Sequence, residues 1–322
     1  MSTLGELGEA AVLQRIFPRL PEAALAMLGP GDDAAVVAAP DGRFVVTTDT
    51  MVHGPDFRLA WSSPHDLGWK AAATNLSDIA AMGARPTALV VAVTAPSDTA
   101  VELLEGLADG LRDACAALAP GCGVVGGDLS VSATLVIAVT AFGDLEGRDA
   151  VRRSGARPGD TVAVSGALGM AAEGLALLFE RALDDEGAPD AHRAAELRRE
   201  FPEALEAQLA PRPPLADGIA AALAGATAML DISDGVAIDA RRIADAGRVA
   251  LDLRAEAIGS PAALAGGEDH GLLATFPPGV ALPGGFRPVG EVREGAGLLI
   301  DGRPYGERGG WDPYEDWNGQ AG

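Results

Sequence analysis

Lysine is almost absent from this chain of 322 residues: Lys70 is the only one. Its context, Gly68-Trp69-Lys70-Ala71, matches neither the G-x-x-x-x-G-K-[ST] of a phosphate-binding loop nor the strand lysine of a protein kinase. If the protein handles a nucleoside triphosphate, carboxylates and metal must serve where lysine serves elsewhere. Cysteine is nearly as scarce. Cys115 and Cys122 are too few for a zinc site or a disulfide framework, and both read as reduced thiols. The four histidines, His53, His65, His192 and His270, form no metal-binding pair at i, i+4. No apolar run approaches the roughly 20 residues that span a bilayer. The first ten residues carry Glu6 and Glu9 where a signal peptide has a basic start, so the expectation is a cytoplasmic protein with no membrane partner. Positive charge is also short. With 24 Lys+Arg against 46 Asp+Glu the net charge is −22, which argues against a nucleic-acid surface. It leaves anionic substrates open, because bound Mg²⁺ inverts the local charge logic.

What is present reads as alternating strands and helices in both halves. Residues 44–48 form a short β-branched strand running into Asp49. Ser63-Pro64 is an N-cap followed by proline at the first helical position, and the helix runs over 65–82 to a C-cap at Gly83. Buried strands follow at 87–95 and 133–142, with a helix over 98–118 and a short strand over 123–125 that stops at Gly126-Gly127-Asp128. A Gly-, Arg- and Asp-rich stretch at 143–160 then suggests a boundary. The second half offers a strand at 161–165 and a helix ending near 183. A polar loop at 184–193 reads as mobile. A strand at 227–232 breaks at Ser233-Asp234-Gly235, a helix covers 236–246, and late strands fall at 272–276 and 298–300. The length favours two domains, and the pattern predicts two α/β or α+β domains, 1–148 and 149–322.

The informative feature is where aspartate falls. Asp32-Asp33 follows Gly29-Pro30-Gly31, and Asp49, Asp128, Asp231 and Asp234 sit at expected strand ends or tight turns. Hard cations take carboxylate and hydroxyl oxygens, commonly one or two carboxylates per ion with phosphate and water. Thr47, Thr48 and Ser233 place hydroxyls beside these carboxylates, and the glycines let a phosphate approach the backbone. Each motif alone is more often a turn or a helix cap, and the Gly166–Gly169 turn is weak for the same reason. Asp78 is different. It falls inside the 65–82 helix on a stripe with Ala71, Asn75 and Met82, opposite Trp69, Ala72, Leu76 and Ile79. That stripe is either an inward polar site or a solvated face.

Taken in order, the motifs resemble those of thiamine-monophosphate kinase, a family of the aminoimidazole-ribotide synthetase-like ATP-binding superfamily. They are Gly31-Asp32-Asp33-Ala34-Ala35, Thr47-Thr48-Asp49-Thr50, the run Asn75-Leu76-Ser77-Asp78-Ile79-Ala80-Ala81-Met82-Gly83-Ala84, Gly126-Gly127-Asp128, Arg153-Ser154-Gly155-Ala156, Asp231-Ile232-Ser233-Asp234-Gly235 and Gly266-Gly267-Glu268-Asp269. The similarity covers residues 5–311. It implies an α/β (α+β) fold of two domains. The first is a mixed sheet that forms a barrel across a homodimer and binds ATP and metal; the second is an α/β domain that completes the substrate site. It implies Asp33, Thr47, Thr48, Asp49, Asp78, Asp128, Asp231 and Asp234 as ligands of several Mg²⁺ ions. Gly127, Asp128, Arg153 and Ser233 would contact ATP, and Asp56, Glu268 and Trp311 the thiamine monophosphate. The implied reaction is direct in-line transfer of the ATP γ-phosphoryl group, with no general base, because the acceptor is already an anion.

Two departures from the family pattern stand out. Asp56-Phe57 occupies the place of a His-Phe pair, with His53 three residues earlier, and the 253–266 stretch is short, which would trim a wall of the substrate pocket. Rival activities within the superfamily want a reactive cysteine near the N-terminus or at the C-terminus. None precedes Cys115, and the chain ends Asn318-Gly319-Gln320-Ala321-Gly322. A binder that keeps the fold without turnover is the rival that the Asp56 departure motivates.

Overall fold

Helix formation in the first half begins with two short segments, α1 (Leu4–Leu7) and α2 (Glu9–Ile16), and a small hairpin of β1 (Ala26–Leu28) and β2 (Val36–Val37). The computed structural model describes residues 2–30 and 34–310. The sheet of this half is built from β3 (Val45–Val52), β4 (Arg85–Ala95), β5 (Gly123–Val131) and β6 (Val136–Asp144), in the order β3-β6-β4-β5. All neighbours are antiparallel except β4 and β5. The sheet is open, with β3 and β5 as its edges.

Helices α3 (Pro64–Ala81) and α4 (Val101–Leu118) cover one face of that sheet. Ser63 caps α3: its Oγ accepts the Asp66 N–H while Asp66 accepts the Ser63 N–H, with Pro64 at the first position. The two helices cross where Gly68 meets the Leu107 carbonyl and Gly110 meets the His65 carbonyl. A Cβ at either position would lie 2.0 Å from that oxygen, so only glycine allows the approach. Both stripes of α3 are buried. A helix with apolar contact all round belongs inside a structure, and α3 is the axle between the two halves.

The second half is a seven-stranded sheet, formed by β7 (Thr161–Ser165), β8 (Ala228–Ile232), β9 (Ala250–Leu253), β10 (Gly271–Phe276), β11 (Arg287–Arg293), β12 (Gly297–Ile300) and β13 (Arg303–Pro304), in the order β13-β12-β9-β11-β7-β10-β8. Its helices are α5 (Met170–Arg181), α6 (Ala191–Glu200), α7 (Pro202–Leu209), α8 (Leu215–Leu223), α9 (Val236–Gly247), α10 (Ala255–Ile258) and α11 (Pro261–Ala265). Strand β8, at the edge, lies against α3. Among the described residues no helix is long and apolar enough to cross a membrane.

Several local expectations need correction. Asp49 lies inside β3 and not at its end, because β3 pairs with β6 over its full length from Val45 to Val52. Strand β5 does not stop at Gly126-Gly127-Asp128 but runs through to Val131. Glycine is tolerated there because Gly127 presses on the Val91 carbonyl, where a Cβ would lie 2.0 Å away. The polar loop expected over 184–193 is shorter, because α6 starts at Ala191. Asp184 accepts the N–H groups of Glu186 and Ala188, and Asp190 then caps α6 by accepting the Arg193 N–H.

Candidate active site

The alternation of β3 decides which of its polar side chains face α3. Thr47 and Asp49 pair across from Ala141 and Val139, both buried on the helix side, whereas Thr48 pairs with Thr140 on the other face. The Thr47 hydroxyl donates to Asp78 Oδ2 at 2.7 Å. The Asp49 N–H donates to Asn75 Oδ1 at 3.1 Å, and the Asn75 amide donates to the Ala71 carbonyl at 3.0 Å. Asn75 is 1% exposed, so the Asn75/Asp78 stripe is an inward polar face. One helix turn thus pins the strand that carries Asp49.

Asp231, the penultimate residue of β8, meets this face from the second half and shares a hydrogen bond with Asp78. Burial, then the charges of Asp231 and Asp49, push the Asp78 pKa to about 7, against the opposing hydrogen bond from Thr47. Asp49 is raised as well, first by burial and then by Asp231, with His270 acting the other way. His270 Nδ1 lies 3.3 Å from Asp231 Oδ2. Burial disfavours the charged imidazole, but the hydrogen bond to Asp231 and the charge of Glu268 outweigh it and raise the His270 pKa. Two hydrogen-bonded carboxyl groups need a proton between them, and like charges at this range otherwise repel. Among the described residues, no Lys or Arg is ion-paired with Asp49, Asp78 or Asp231.

Neighbouring carboxylates are handled differently. Asp234 is ion-paired with Arg242 at 2.5 Å, and Arg242 also holds the buried Asp239 at 2.6 Å. Burial still lifts Asp239 to about 7, with Arg242 opposing it. The Ser233 carbonyl accepts the Glu268 N–H at 2.7 Å. Glu268 and His270 both take the left-handed backbone, at φ 70° and 50°, which non-glycine residues adopt at a cost and which marks functional turns. The Glu268 carboxylate receives Lys70 Nζ at 2.5 Å. Burial would raise the Glu268 pKa, but Lys70 and then His270 hold it below the usual range. Asp269 accepts the N–H groups of Gly169 and Ala171, so the last N–H of the Gly166–Gly169 turn and one in the first turn of α5 are already taken.

The fold therefore brings together Thr47, Asp49, Asp78 and Asp231, with Ser233, Asp234 and Glu268 around them. Asp56 belongs to the same neighbourhood. It accepts the Val52 N–H at 2.7 Å, and burial raises its pKa, with Glu268 adding to the shift and Lys70 opposing it. His53, the alternative, stacks on Phe57 at 5.6 Å. Other expected residues stand apart. The Thr48 hydroxyl donates to the Val139 carbonyl at 2.9 Å on the far face. Arg153 is exposed on a short turn. Asp128 lies at the opposite sheet edge, in the cross-strand row Thr50–Ala138–Ala92–Asp128, while Gly127 ends the row that starts at Asp49. Three inter-strand spacings put those edges roughly 14 Å apart. Asp33 and Trp311 lie outside the described residues. Among the described residues, no three His, Cys, Asp or Glu side chains are grouped as they would be around a bound ion. The donor set is nonetheless the oxygen set that Mg²⁺ prefers, and Mg²⁺ keeps water and phosphate in its shell alongside one or two carboxylates.

Beside β5 lies a cavity of about 750 Å³ with an apolar bed, lined by Val91, Val93, Leu104, Leu107 and Leu111 and bordered by Gly127 and Asp128. Pro30 and Ala34, which flank 31–33, close one side. Sequence reasoning missed Lys70, His270 and the Arg242 bridge. The signal for Lys70 was available: a lysine in a helix buried all round must have a partner.

The family model for the AIR synthase related protein, N-terminal domain, matches residues 31–145. A thiamine-monophosphate kinase from Mycobacterium tuberculosis (strain ATCC 25618 / H37Rv) is 43% identical, over 99% of this chain and 95% of that protein. The crystal structure of thiamine-monophosphate kinase from Stenotrophomonas maltophilia K279a superposes with a TM-score of 0.77 at 31% identity, covering 92% of this chain and 98% of that one. AaThiL complexed with AMPPCP and TMP superposes with a TM-score of 0.69 at 30% identity, over 96% and 98%.

Proposed function

The chain belongs to the thiamine-monophosphate kinase family, and from that premise we propose that it transfers the γ-phosphoryl group of ATP directly to the phosphate of thiamine monophosphate. A phosphate oxygen of thiamine monophosphate bonds to the γ-phosphorus as the bond to the β,γ-bridging oxygen breaks, leaving ADP and thiamine diphosphate. The observation that carries this reading is the group Asp49, Asp78 and Asp231, carboxyl groups from both halves of the chain that, among the described residues, have no Lys or Arg ion-paired with them and only His270 beside Asp231. Such a cluster is costly unless positive charge arrives with the ligand.

On this reading Asp33, Thr47, Thr48, Asp49, Asp78, Asp128, Asp231 and Asp234 would hold several Mg²⁺ ions. Bound Mg²⁺ supplies neutralisation between two anionic phosphates and lowers the barrier to their approach. The chain's own residues fix the geometry. Asn75 sets the height of Asp49 against α3, and Thr47 orients Asp78. Gly127, Asp128, Arg153 and Ser233 would hold ATP, with the adenosine in the apolar cavity beside β5. Asp56, Glu268 and Trp311 would hold the thiamine end. No general base is needed, because the acceptor oxygen carries charge already. The enzyme would work in the cytoplasm, where ATP is available.

The position of Asp128 bears on oligomeric state. Asp128 and Thr48 both face away from α3, at opposite edges of one sheet. Two such sheets closed into a barrel would set β5 of one protomer beside β3 of its partner. Asp128 would then join the partner's Thr48, on the strand whose other face carries Asp49, and each active site would draw on both 1–148 domains, completed by a 149–322 domain. The test is formation of thiamine diphosphate from thiamine monophosphate, ATP and Mg²⁺, read as fluorescent thiochrome. Asp49→Ala and Asp128→Ala should each abolish product. A mixture refolded together should regain about a quarter of wild-type activity, because half the mixed dimers' sites are intact. No product from the wild type would defeat the kinase reading, and no recovery in the mixture would defeat the shared site.

A further inference from the structure

Lys70 is the one lysine of the chain, 6% exposed inside α3. A buried ammonium needs partners, and Lys70 has two. Its Nζ lies 2.5 Å from Glu268 Oε2 and donates to the Gln208 carbonyl at 3.1 Å. One side chain therefore joins α3, the end of α7 and the Gly266–His270 turn. Around it, Trp69 adds a second tie to the same stretch: its indole N–H donates to the Pro211 carbonyl at 2.7 Å.

Position along the helix gives this contact a meaning. Lys70 precedes Asp78 by eight residues, or about 12 Å of helix rise. That is the scale of an extended molecule with a phosphate at one end and an aromatic ring system at the other. Charge points the same way. Asp56 and Glu268 supply two carboxylates at the Lys70 end, and Lys70 cancels one of them. Asp56 has no Lys or Arg ion-paired with it among the described residues, and its carboxyl group would be the one to face the single fixed positive charge of a thiazolium ring. Without Lys70, two carboxylates would share the pocket, and Glu268 would lose the partner that fixes its carboxylate.

We propose that Lys70 is a positioning residue that acts through Glu268, fixing that carboxylate and setting the net charge of the pocket for the cationic ring end of the substrate. The inference rests on the kinase reading above. It makes α3 a ruler, with phosphate transfer at the Asp78 end and recognition of the organic cation at the Lys70 end.

Steady-state kinetics of the full-length protein with Lys70→Met, Lys70→Arg, Glu268→Gln and the double variant test it. Lys70→Met should raise KM for thiamine monophosphate about tenfold or more, while KM for ATP stays within about twofold and kcat within about threefold. Lys70→Arg should recover most of the loss, because it restores charge against Glu268. The double variant should be no worse than Glu268→Gln alone, as expected of a residue that works through another. Equal changes in both KM values, a fall in kcat alone, or additive losses in the double variant would overturn the proposal. If Lys70→Met does not fold, Lys70→Arg and Glu268→Gln carry the same comparison: a Glu268→Gln defect that is not selective for thiamine monophosphate would overturn it. Wild-type turnover with Lys70→Met kinetics unchanged sinks this inference alone. Absence of wild-type turnover sinks the kinase reading, and this inference with it.

Discussion

Helix α3 holds two carboxylates three turns apart, and they live in opposite worlds. Asp66, at its N-terminal end, is 4% exposed in its side chain and meets Arg198 through two bonds, at 2.8 and 3.0 Å. Burial works to raise its pKa, but Arg198 and the Ser63 hydroxyl outweigh burial and hold it below the usual range. Asp78, near the other end, has a threonine hydroxyl and two further carboxylates for company, and its pKa rises to about 7. The same residue type on the same buried helix is thus satisfied at one end and left wanting at the other. A compensated carboxylate belongs to the architecture. One held by Thr47 and packed against β8, with no Lys or Arg ion-paired to it among the described residues, has the environment that the proposed cation would require.

The largest effect that would break this contrast is in activity. Asp78→Asn keeps the shape and the hydrogen bond from Thr47 but removes the charge. It should lower kcat/KM by at least about a thousandfold, the loss of several kcal/mol of charge stabilisation. The metal-free variant should melt no lower than wild type, because it relieves repulsion. Mg-ATP should raise the melting temperature of wild type and not of the variant, by binding linkage. A variant that keeps its activity, or that melts well below wild type, would make Asp78 another structural carboxylate.

Asp66→Ala is the mirror experiment. It should cost about 3 kcal/mol of stability, the low end for breaking a buried pair, since Arg198 retains Glu206 at 2.7 Å. KM for ATP and kcat should stay near wild type at temperatures where the variant is folded. Denaturant unfolding measures the first and the coupled assay the second. Loss of activity without loss of stability would move Asp66 into the site.

How much of this was legible beforehand follows from what each residue touches. The α3 helix, its Ser63-Pro64 start, β4 and β6 all announce themselves by local pattern, and the chain has them. Strand β5 was read too short because Gly126-Gly127 looks like a break. The close contact with Val91 that makes glycine useful there is long-range and invisible in sequence. Helices α6, α7 and α8 were not foreseen, since short Ala-rich segments between prolines carry little period. For the site, the order of Asp motifs singled out Thr47, Asp49, Asp78 and Asp231, which the fold brings together. It said nothing of faces, so Thr48 and Asp49 read as equivalent although adjacent residues of a strand point apart. Ion pairs such as Lys70–Glu268 and Arg242–Asp234 join residues whose proximity only the fold creates or fixes.

The smallest effect is the pH dependence of the metal-free protein, and it separates the two carboxylates by sign. Asp78 has a folded-state pKa of about 7, above the ordinary 3.8. The folded chain therefore binds more protons than the unfolded chain between those values, and stability falls as pH rises through that window. Asp239, also at about 7, and Asp49 act in the same direction. Asp66 is lowered, so its contribution is present above the ordinary value and is lost only as pH falls through its folded pKa. In chelator at constant ionic strength, wild type should lose on the order of 2 kcal/mol between pH 5 and pH 8, and Asp78→Asn should show a flatter profile. Mg-ATP should remove most of the slope, because ligand charge then compensates the ionised cluster. A wild-type profile that is flat or rises across this range would mean that the cluster is already neutralised, and the contrast between the two ends of α3 would fail.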